Sequence, residues 1–316
     1  MTSAPQPVPG GVQRPTGPLQ YRAEVIATRR AGEYRVITLT APGIPERARP
    51  GHFAAVAIGD VRSGMLLRRA FSISRVERKG AAGGVMELVV SAHGPGTVWL
   101  TERRRGDVVD VIAPLGKPFV LPKQPVAAVL VGGGYGAAPL FWLAERLQER
   151  GCRVDFVLGA ATESRLFGVL EGRRIGSSMT VTTDDGSAGV AGRVTDVLGA
   201  LMDEHDTDVA YSCGPMPMLA AVTELAGARG AHSQTAVEEA MACGIGVCMT
   251  CVLPVVGADG RTRMTRSCIG GPVFDGHTVR WRDVGTVPAD CVGAPVPVAA
   301  AEQPVAGRPR RPGGAG

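Results

Sequence analysis

Short runs in which hydrophobic and polar positions alternate cover the first third of the chain. Turn residues separate the runs, and each run has the length of an ordinary strand. The runs occupy residues 23–27, 34–39, 52–57, 70–74, 85–90 and 107–111. Many short strands at such spacing are typical of an antiparallel barrel or sandwich. We therefore predict an antiparallel β-barrel over residues 19–122.

A different pattern begins after Pro125, where continuous apolar runs alternate with segments of helical spacing. The run Val-Ala-Ala-Val-Leu-Val at 126–131 is typical of a strand buried on both faces. Residues 140–150 have helical spacing and are followed by Gly151, a common helix terminator. This order indicates an open parallel α/β sheet over residues 123–235. Further strands are predicted at 154–158, 179–182 and 209–212.

The remaining segments differ in composition from both of these regions. Residues 236–292 are rich in cysteine and loop-like, so we predict a small C-terminal domain that needs its metal to fold. Residues 1–18 and 293–316 are rich in proline, glycine or alanine, and we predict that both tails are disordered. The chain of 316 residues is thus expected to be a multidomain β plus α/β protein.

Charge and cysteine content narrow the function classes. The net charge of +5 arises partly from arginines in the C-terminal tail, and no basic stripe with interleaved aromatic residues suggests nucleic-acid binding. Seven cysteines are too few for a disulfide framework in a chain this long, and they suit a reducing compartment. The sequence shows neither a leader-like start nor an apolar run of about 20 residues. We expect a soluble, cytoplasmic protein with no membrane partner.

Four cysteines carry the most specific chemistry of the sequence. Cys243, Cys248 and Cys251 have the Cys-x4-Cys-x2-Cys spacing of a plant-type [2Fe–2S] cluster, and Cys268 supplies a fourth thiolate. Two glycines within this loop allow the backbone to wrap closely around an inorganic core. A structural zinc is the alternative at this point, although zinc prefers tighter cysteine pairs in two separated halves.

Two turns that follow strands of the α/β region are candidates for dinucleotide binding. The first is a glycine-rich turn placed where backbone amides can bind a pyrophosphate, and a tight turn without a ligand is the alternative. The second contains Gly-Pro, which by itself is a routine turn signal. The residues of the two turns are Gly132, Gly133, Gly134 and Gly136 in the first, and Cys213, Gly214 and Pro215 in the second.

The first turn, continued through Ala138 and Pro139, resembles the Gly-Gly-Gly-x-Gly-x-Ala-Pro turn of the ferredoxin-reductase superfamily. The resemblance implies that the turn at 213–215 lies beside the nicotinamide ring of NAD(H). It also implies a flavin domain before the nucleotide domain, which is the order of the β-rich and α/β regions in this chain.

Two segments of the β-rich region resemble flavin motifs of the same superfamily. The run Arg-Ala-Phe-Ser at 69–72 is similar to Arg-x-Tyr-Ser, and the segment 94–97 is similar to Gly-x-Gly-Thr. The resemblance implies that Arg69 pairs with the FAD pyrophosphate, that Phe71 lies near the isoalloxazine ring, and that Ser72 hydrogen-bonds near its N5 edge. The implied flavin contacts are Arg69, Ala70, Phe71, Ser72, Val89, Val90, Ser91, Gly96 and Thr97.

The cysteine segment itself resembles a narrower family, the electron-transfer subunits of the class 1B dihydroorotate dehydrogenases. The similarity lies in Met-x-Cys-Gly-Ile-Gly-x-Cys-x-x-Cys at 241–251 and in Gly-Pro-Val-Phe at 271–274. It implies a subunit that links NAD(H), through FAD and a [2Fe–2S] cluster, to the FMN of a separate catalytic subunit in pyrimidine biosynthesis. A heterotetramer with two copies of each chain is expected, and no catalytic residue for dihydroorotate is assigned to this chain.

Two other functions stay open at this point. One is a reductase subunit that serves another acceptor, in a sulfhydrogenase-like or ferredoxin-linked NADPH enzyme. The other is a zinc-bearing binding module without enzymatic activity. The preference for NADH or NADPH is also open, because Ser164 and Arg165 lie where an arginine can meet a 2′-phosphate in this superfamily.

Overall fold

The computed structural model describes residues 17–59, 63–78 and 83–294. The predictions of disordered tails fall almost entirely on residues 1–16 and 295–316, which lie outside this part. Within the described residues, no helix is long and apolar enough to cross a membrane.

The first region is a closed six-stranded antiparallel barrel, as predicted. Each strand follows the alternation of the sequence, so one set of side chains fills the barrel core. The barrel closes because β6 pairs with β1, for example Ala113 with Leu19, giving the order β1-β2-β5-β4-β3-β6. Its elements are β1 (Leu19–Ala31), β2 (Tyr34–Thr40), β3 (Phe53–Val56), β4 (Arg69–Glu77), β5 (Val85–Ser91), α1 (Pro95–Thr101) and β6 (Val108–Leu115).

The second region is a mostly parallel sheet in the order β10-β9-β8-β7-β11-β12-β15. Its central strands are almost wholly buried because helices cover both faces. The glycine-rich turn after β7 first forms a 3-10 turn, Gly134–Ala137, and α2 begins only at Ala138. The elements are β7 (Ala127–Gly133), α2 (Ala138–Gln148), β8 (Arg153–Ala160), α3 (Val169–Ile175), β9 (Ser178–Thr183), β10 (Val190–Ala191), α4 (Val194–Glu204), β11 (Val209–Cys213), α5 (Met216–Ala228) and β12 (His232–Ala236).

The C-terminal segment has more regular structure than its loop-like sequence suggests. It contains a hairpin of β13 (Val252–Val256) and β14 (Thr262–Arg266), the short helix α6 (Ser267–Gly270), and β15 (Val273–Asp275). Strand β15 pairs antiparallel with β12 and so becomes the edge of the large sheet. A strand of three residues is too short to show periodicity, which explains why the sequence did not reveal it.

Polar contacts hold the barrel against the sheet. Arg75 of β4 binds Glu145 of α2 at 2.6 Å and Glu171 of α3 at 2.8 Å. The Ser74 hydroxyl donates to the carbonyl of Ala138 at 3.2 Å, so β4 is joined to the start of α2. These contacts fix the cleft between the two regions, and the candidate site lies in this cleft.

Candidate cofactor and cluster site

The cysteine loop leaves β12 and passes beneath the barrel. Gly244 and Gly246 have φ of +71° and +84°, a backbone region that glycine adopts without strain. A Cβ at Gly246 would lie 2.9 Å from the Ile269 side chain, and one at Gly244 would lie 3.5 Å from Phe53 of β3. The glycines therefore let the loop pack closely against α6 on one side and the barrel on the other.

The four thiols are arranged as two pairs. Cys243 and Cys248 are in hydrogen-bonding contact, and so are Cys251 and Cys268. The backbone N–H of Cys268 also donates to the Cys251 sulfur at 3.4 Å. No three His, Cys, Asp or Glu side chains within the described residues converge on one point that could hold a single metal ion.

Two separate thiol pairs match the donor set of a two-iron cluster, in which four thiolates are shared between two irons. A structural zinc requires four ligands around one centre, and the pairs do not provide such a centre. The residues present therefore fit a [2Fe–2S] cluster better than zinc.

The two pairs have different electrostatic surroundings. The hydroxyl and amide of Thr250 are the main reason why the pKa of Cys248 is lowered to about 6. Burial alone would raise the pKa of Cys243, but backbone N–H groups outweigh it, so that pKa is lowered as well. Burial raises the pKa of Cys268 to about 12, with Cys251 adding to the effect. The outer pair, Cys243 and Cys248, thus ionises more readily than a free cysteine, whereas Cys268 of the inner pair, Cys251 and Cys268, needs the positive charge of a metal to ionise.

The inner pair packs into the underside of the barrel. Cys251 and Cys268 are 2% and 1% exposed and form an apolar cluster with Phe53, Ala55 and Leu115. Cys248, in contrast, is exposed to solvent. The cluster site therefore has one face against the flavin-type barrel and one face at the molecular surface.

A cavity of about 630 Å³ lies where the barrel, the sheet and the cysteine segment meet. The barrel provides most of the motif residues quoted from the sequence, the sheet provides Gly136 and Cys213, and the segment before the cysteines provides Met241 and Ala242. Thr250, beside Cys251, also lines it. The motif residues of the barrel that line the cavity are Arg69, Ala70, Phe71, Ser72, Val89, Ser91 and Thr97.

The Arg69 guanidinium is held in place at this cavity. Its Nη1 donates to the carbonyls of Leu67 at 2.9 Å and Arg68 at 3.2 Å. A Cβ at Gly96 would lie 3.4 Å from Arg69 Nε, so this glycine lies directly beside the guanidinium. A fixed cation beside a glycine turn fits the pyrophosphate of a flavin nucleotide.

Thr97 and Val90 differ from the other predicted flavin contacts, because their side chains have partners within the protein. The Thr97 hydroxyl accepts from the N–H groups of His93 at 3.0 Å and Gly94 at 3.1 Å, so it shapes the turn rather than pointing freely at a ligand. The Val90 side chain packs in the barrel core, because neighbouring residues on β5 face opposite sides of the strand.

A second cavity, of about 490 Å³, opens beside the first on the sheet side. Its walls include Gly133 and Gly134 of the glycine-rich turn and Pro215 of the later turn. A Cβ at Gly133 would lie 2.7 Å from Pro215, and one at Gly136 would lie 2.7 Å from the Cys213 carbonyl. The glycines therefore allow the two turns to pack against each other, besides leaving room for a dinucleotide.

The other two residues of these turns lie deeper in the fold. Gly132 pairs with Cys213 across β7 and β11, and a Cβ at Gly132 would lie 2.7 Å from the Ala137 side chain. Gly214 has φ of +153°, and a Cβ there would lie 3.0 Å from the Gly133 backbone. Both glycines therefore affect the shape of the cleft without lining either cavity.

Tyr135 and Glu238 line both cavities, and the sequence analysis assigned neither of them to the site. Burial raises the pKa of Tyr135 to about 12, with Glu238 and Cys213 contributing. Burial also raises the pKa of the Glu238 carboxyl, although that side chain remains accessible from the cleft. Glu238 lies three residues before the cysteine motif, but only the folded chain brings it to the boundary between the two cavities.

The Cys213 thiol faces the first cavity and stays protonated. Burial raises the pKa of Cys213, and the nearby Glu238 adds to the effect. A neutral thiol at 3% exposure adds a small apolar contact to the wall and brings no charge to it.

A flavin-type barrel, a nucleotide-type sheet and a four-cysteine loop at one cleft define a flavin-dependent reductase with an iron–sulfur relay. The iron-sulfur cluster binding domain of dihydroorotate dehydrogenase B matches residues 238–280. The electron transfer subunit of dihydroorotate dehydrogenase B (NAD(+)) from Bacillus caldolyticus is 40% identical over 253 residues, which are 79% of this chain and 94% of the relative. The chain belongs to the family of these electron transfer subunits.

Other similar proteins agree with this assignment. The probable electron transfer subunit from Methanopyrus kandleri is 34% identical over 273 residues, covering 86% of this chain and 97% of that protein. The solved structure of an NADH-dependent reduced ferredoxin-NADP oxidoreductase has a TM-score of 0.70 and 29% identity, covering 82% of this chain and 90% of that chain. A ferredoxin reductase of carbazole 1,9a-dioxygenase, with a TM-score of 0.57, 22% identity and coverage of 67% and 66%, shares the fold.

These findings confirm the predicted family, the fold class and the role as an oxidoreductase subunit for electron transfer. They also confirm the predicted cofactor classes, which are FAD, a [2Fe–2S] cluster and NAD(H). As an electron transfer subunit, the chain has a catalytic dihydroorotate dehydrogenase subunit as its partner.

Proposed function

We propose that this chain carries electrons between the FMN of a catalytic dihydroorotate dehydrogenase subunit and NAD(H) bound at the cavity beside the glycine-rich turn, so that dihydroorotate oxidation reduces NAD+. The arrangement of residues around the first cavity is the main support for this proposal. Its barrel wall holds the flavin motif residues, its sheet wall adjoins the second cavity through Tyr135 and Glu238, and its third wall leads directly to the cysteines. The cleft therefore lies between a two-electron nicotinamide site and a one-electron relay.

The cofactors supply the redox chemistry when bound: FAD exchanges an electron pair with the nicotinamide, and single electrons pass between the two flavins by way of the cluster. The protein supplies binding and orientation. We assign Arg69 to the flavin pyrophosphate, and Phe71 and Ser72 to the flavin ring, because all three line the first cavity. Tyr135 separates this cavity from the second one and limits how closely the two ring systems approach.

The remaining assignments follow the position of each residue around the cleft. We assign Ala70, Val89, Ser91, Gly96 and Thr97 to the flavin region, and the two turns of the sheet to NAD(H). Val90, whose side chain lies in the barrel core, is assigned to the flavin region through its backbone alone. We assign the four cysteines to the cluster. The domain division proposed from the sequence, 19–122, 123–235 and 236–292, is supported by the ends of the barrel at Leu115 and of β12 at Ala236.

The partner is proposed to dock on the cysteine loop. Ile245, Val247 and Met249 are 48%, 75% and 52% exposed, and Ile269 of α6 lies beside them at 44%. Apolar side chains exposed together around a redox site are typical of a protein interface. A partner bound here would also cover Cys248 and so bring its FMN close to the outer face of the cluster.

Two further features of the assembly are proposed on the same basis. We propose a heterotetramer with two copies of each chain, acting in the pyrimidine pathway. We also propose the cytoplasm as its compartment, because all seven cysteines are free thiols within the described residues.

Reconstitution with the catalytic subunit tests the proposal. Alone, the chain should reduce artificial acceptors with NADH and leave dihydroorotate unchanged. With the catalytic subunit it should form orotate in an NAD-dependent reaction. The Cys248→Ser variant should abolish that coupling, while dihydroorotate oxidation measured with an artificial acceptor at the partner persists. Oxidation of dihydroorotate by the single chain, or failure to form a stable complex, would refute the proposal.

A further inference from the structure

The turn between β1 and β2 of the barrel reaches across the cleft to the end of β8 in the sheet. Glu33 of this turn makes three contacts with two consecutive residues there. Its N–H donates to the Ser164 carbonyl at 3.1 Å, and its carboxylate accepts from the Ser164 hydroxyl at 2.6 Å and from Arg165 Nε at 3.1 Å. One carboxylate thus accepts from the side chains of both residues, through the Ser164 hydroxyl and Arg165 Nε.

Ser164 and Arg165 lie where a parallel α/β sheet meets the adenosine ribose of a dinucleotide. In such sheets an acidic residue after the second strand accepts from the ribose 2′-hydroxyl of NAD, whereas an arginine there binds the 2′-phosphate of NADP. Arg165 lines the second cavity together with Gly133 and Gly134. A hydroxyl and a guanidinium side by side are suitable donors for a phosphate.

The position of Glu33 is fixed by its neighbours in the turn. Gly32 has φ of +61°, and a Cβ there would lie 2.5 Å from the Ser164 carbonyl oxygen. The Tyr34 hydroxyl donates to the Arg165 carbonyl at 2.7 Å, and Tyr34 is 5% exposed. These contacts therefore hold the turn between β1 and β2 against the residues that follow β8.

The charge of Glu33 is maintained at neutral pH. The Ser164 hydroxyl and Arg165 hold the pKa of the Glu33 carboxyl below its usual range. Arg193, at the start of α4, is another cation that lines the same cavity, and Asp184 lines it as well. The negative charge closest to the Ser164 and Arg165 donors is the carboxylate of Glu33.

We infer that Glu33, a residue of the flavin barrel, makes this chain selective for NADH over NADPH. Its carboxylate engages the two donors that would bind a 2′-phosphate and repels that phosphate, while it can accept from a 2′-hydroxyl. Selectivity then arises from an unfavourable contact with the wrong cofactor as well as a favourable one with the right cofactor. The inference rests on the proposed NAD(H) site in the second cavity.

Flavin bleaching by NADH and by NADPH, measured on the FAD-loaded protein, tests the inference. In Glu33→Gln, the ratio of kcat/KM for NADPH to that for NADH should rise about tenfold, because a repulsive charge is removed and Arg165 is released for a charged hydrogen bond. Adding Arg165→Ala to that variant should remove the gain. Asp259→Asn is the matched control, because it removes a carboxylate from another exposed ion pair with an arginine, in the hairpin of β13 and β14 away from this cavity.

A binding measurement gives a readout that does not depend on turnover. Calorimetric titration with adenosine 2′,5′-bisphosphate and with AMP should show that Glu33→Gln gains affinity only for the bisphosphate. The gain should shrink at high salt, because the charges involved are exposed and screened. Equal gains for both ligands would indicate a general loosening of the cavity and would overturn the inference.

The outcomes separate this inference from the proposed function. If NADH does not bleach the flavin of the parent protein, the proposed function fails. If NADH bleaches the parent flavin but the cofactor ratio is unchanged in Glu33→Gln, only the inference fails. If Glu33→Gln loses FAD, the single variant Arg165→Ala provides the test of the inference instead. It should leave the weak use of NADPH unchanged within about twofold, because Glu33 already engages that arginine, and a larger loss would overturn the inference.

Discussion

The two sides of the flavin cavity are built in contrasting ways. On the nicotinamide side the wall consists of turns that follow β7 and β11, two strands at the buried centre of a seven-stranded sheet. On the cluster side, residues 237–251 form neither helix nor strand. Burial of apolar side chains fixes the first wall before any ligand binds, whereas the second depends on the cluster that we propose its four cysteines to hold.

The apolar residues of the two sides also differ in how deeply they are buried. Val129 and Leu130 of β7 are fully buried, but Val247 in the cysteine loop is 75% exposed. A loop that exposes its apolar residues does not gain stability from them in the isolated chain. We propose that the nicotinamide side is complete in this subunit, and that the cluster side is completed by iron, sulfide and the partner.

The strongest test of this contrast removes one cluster ligand. Cys248→Ser should lose iron and acid-labile sulfide, and amide hydrogen exchange should accelerate across residues 241–251 but not in the barrel strands. Cys291→Ser is the matched control, because Cys291 is a buried cysteine outside the four-cysteine set. A Cys248→Ser protein that keeps about two irons and two sulfides per chain would contradict the assignment.

A second test acts on the flavin side. Arg69→Ala should weaken FAD binding about ten- to hundredfold, since a charged hydrogen bond to phosphate contributes roughly 1.5–3 kcal/mol. The dissociation constant can be measured from the recovery of flavin fluorescence on dilution. Arg22→Ala, which removes an exposed arginine of β1 away from the cavity, should bind FAD like the parent protein. An unchanged affinity in Arg69→Ala would contradict the role of this strand.

A third test acts on the proposed partner surface, and its expected effect is smaller. Val247→Asp should raise the dissociation constant for the catalytic subunit about tenfold, because a charge would be buried in an apolar contact. Leu170→Asp is a matched control, since Leu170 is 81% exposed on α3 of the sheet region. Surface plasmon resonance with immobilised catalytic subunit measures both. If the two variants bind equally well, the partner does not dock on the cysteine loop.

The smallest expected effect concerns the stability of the barrel in acid. Burial, together with Arg49, lowers the pKa of His52 to about 4 from 6.5, and its Nδ1 accepts from the Arg49 N–H at 3.0 Å. Between these two values the unfolded chain binds the proton more readily, so stability is lost as the pH falls through this window. The contribution is at most about 1.4 kcal/mol per pH unit.

Urea unfolding of the parent and of His52→Asn at pH 7 and pH 5 measures this slope. The asparagine keeps an acceptor for the Arg49 N–H but does not titrate. The parent should therefore lose more stability than the variant between the two pH values, while acid effects on the cluster are common to both. Equal losses would show that His52 does not contribute.

Most of the elements were predictable because their signals are local. The six barrel strands and the strands of the sheet at 127–133, 153–160, 178–183 and 209–213 follow from periodicity, which reports burial on one face or both. The short strands β10, β12 and β15 and the hairpin of β13 and β14 did not stand out. Few residues give too little periodicity to distinguish a strand from a loop.

The sequence by itself was enough to propose the cluster ligands, because three of the four cysteines lie within nine residues of one loop, with the spacing that such a cluster requires. Only the tertiary structure decided how the thiols pair and that Tyr135 and Glu238 lie between the two cavities. It alone also placed Glu33 against Arg165, 132 positions apart in the chain. Such contacts arise when two separately folded regions pack together, and no local spacing records which surfaces will meet.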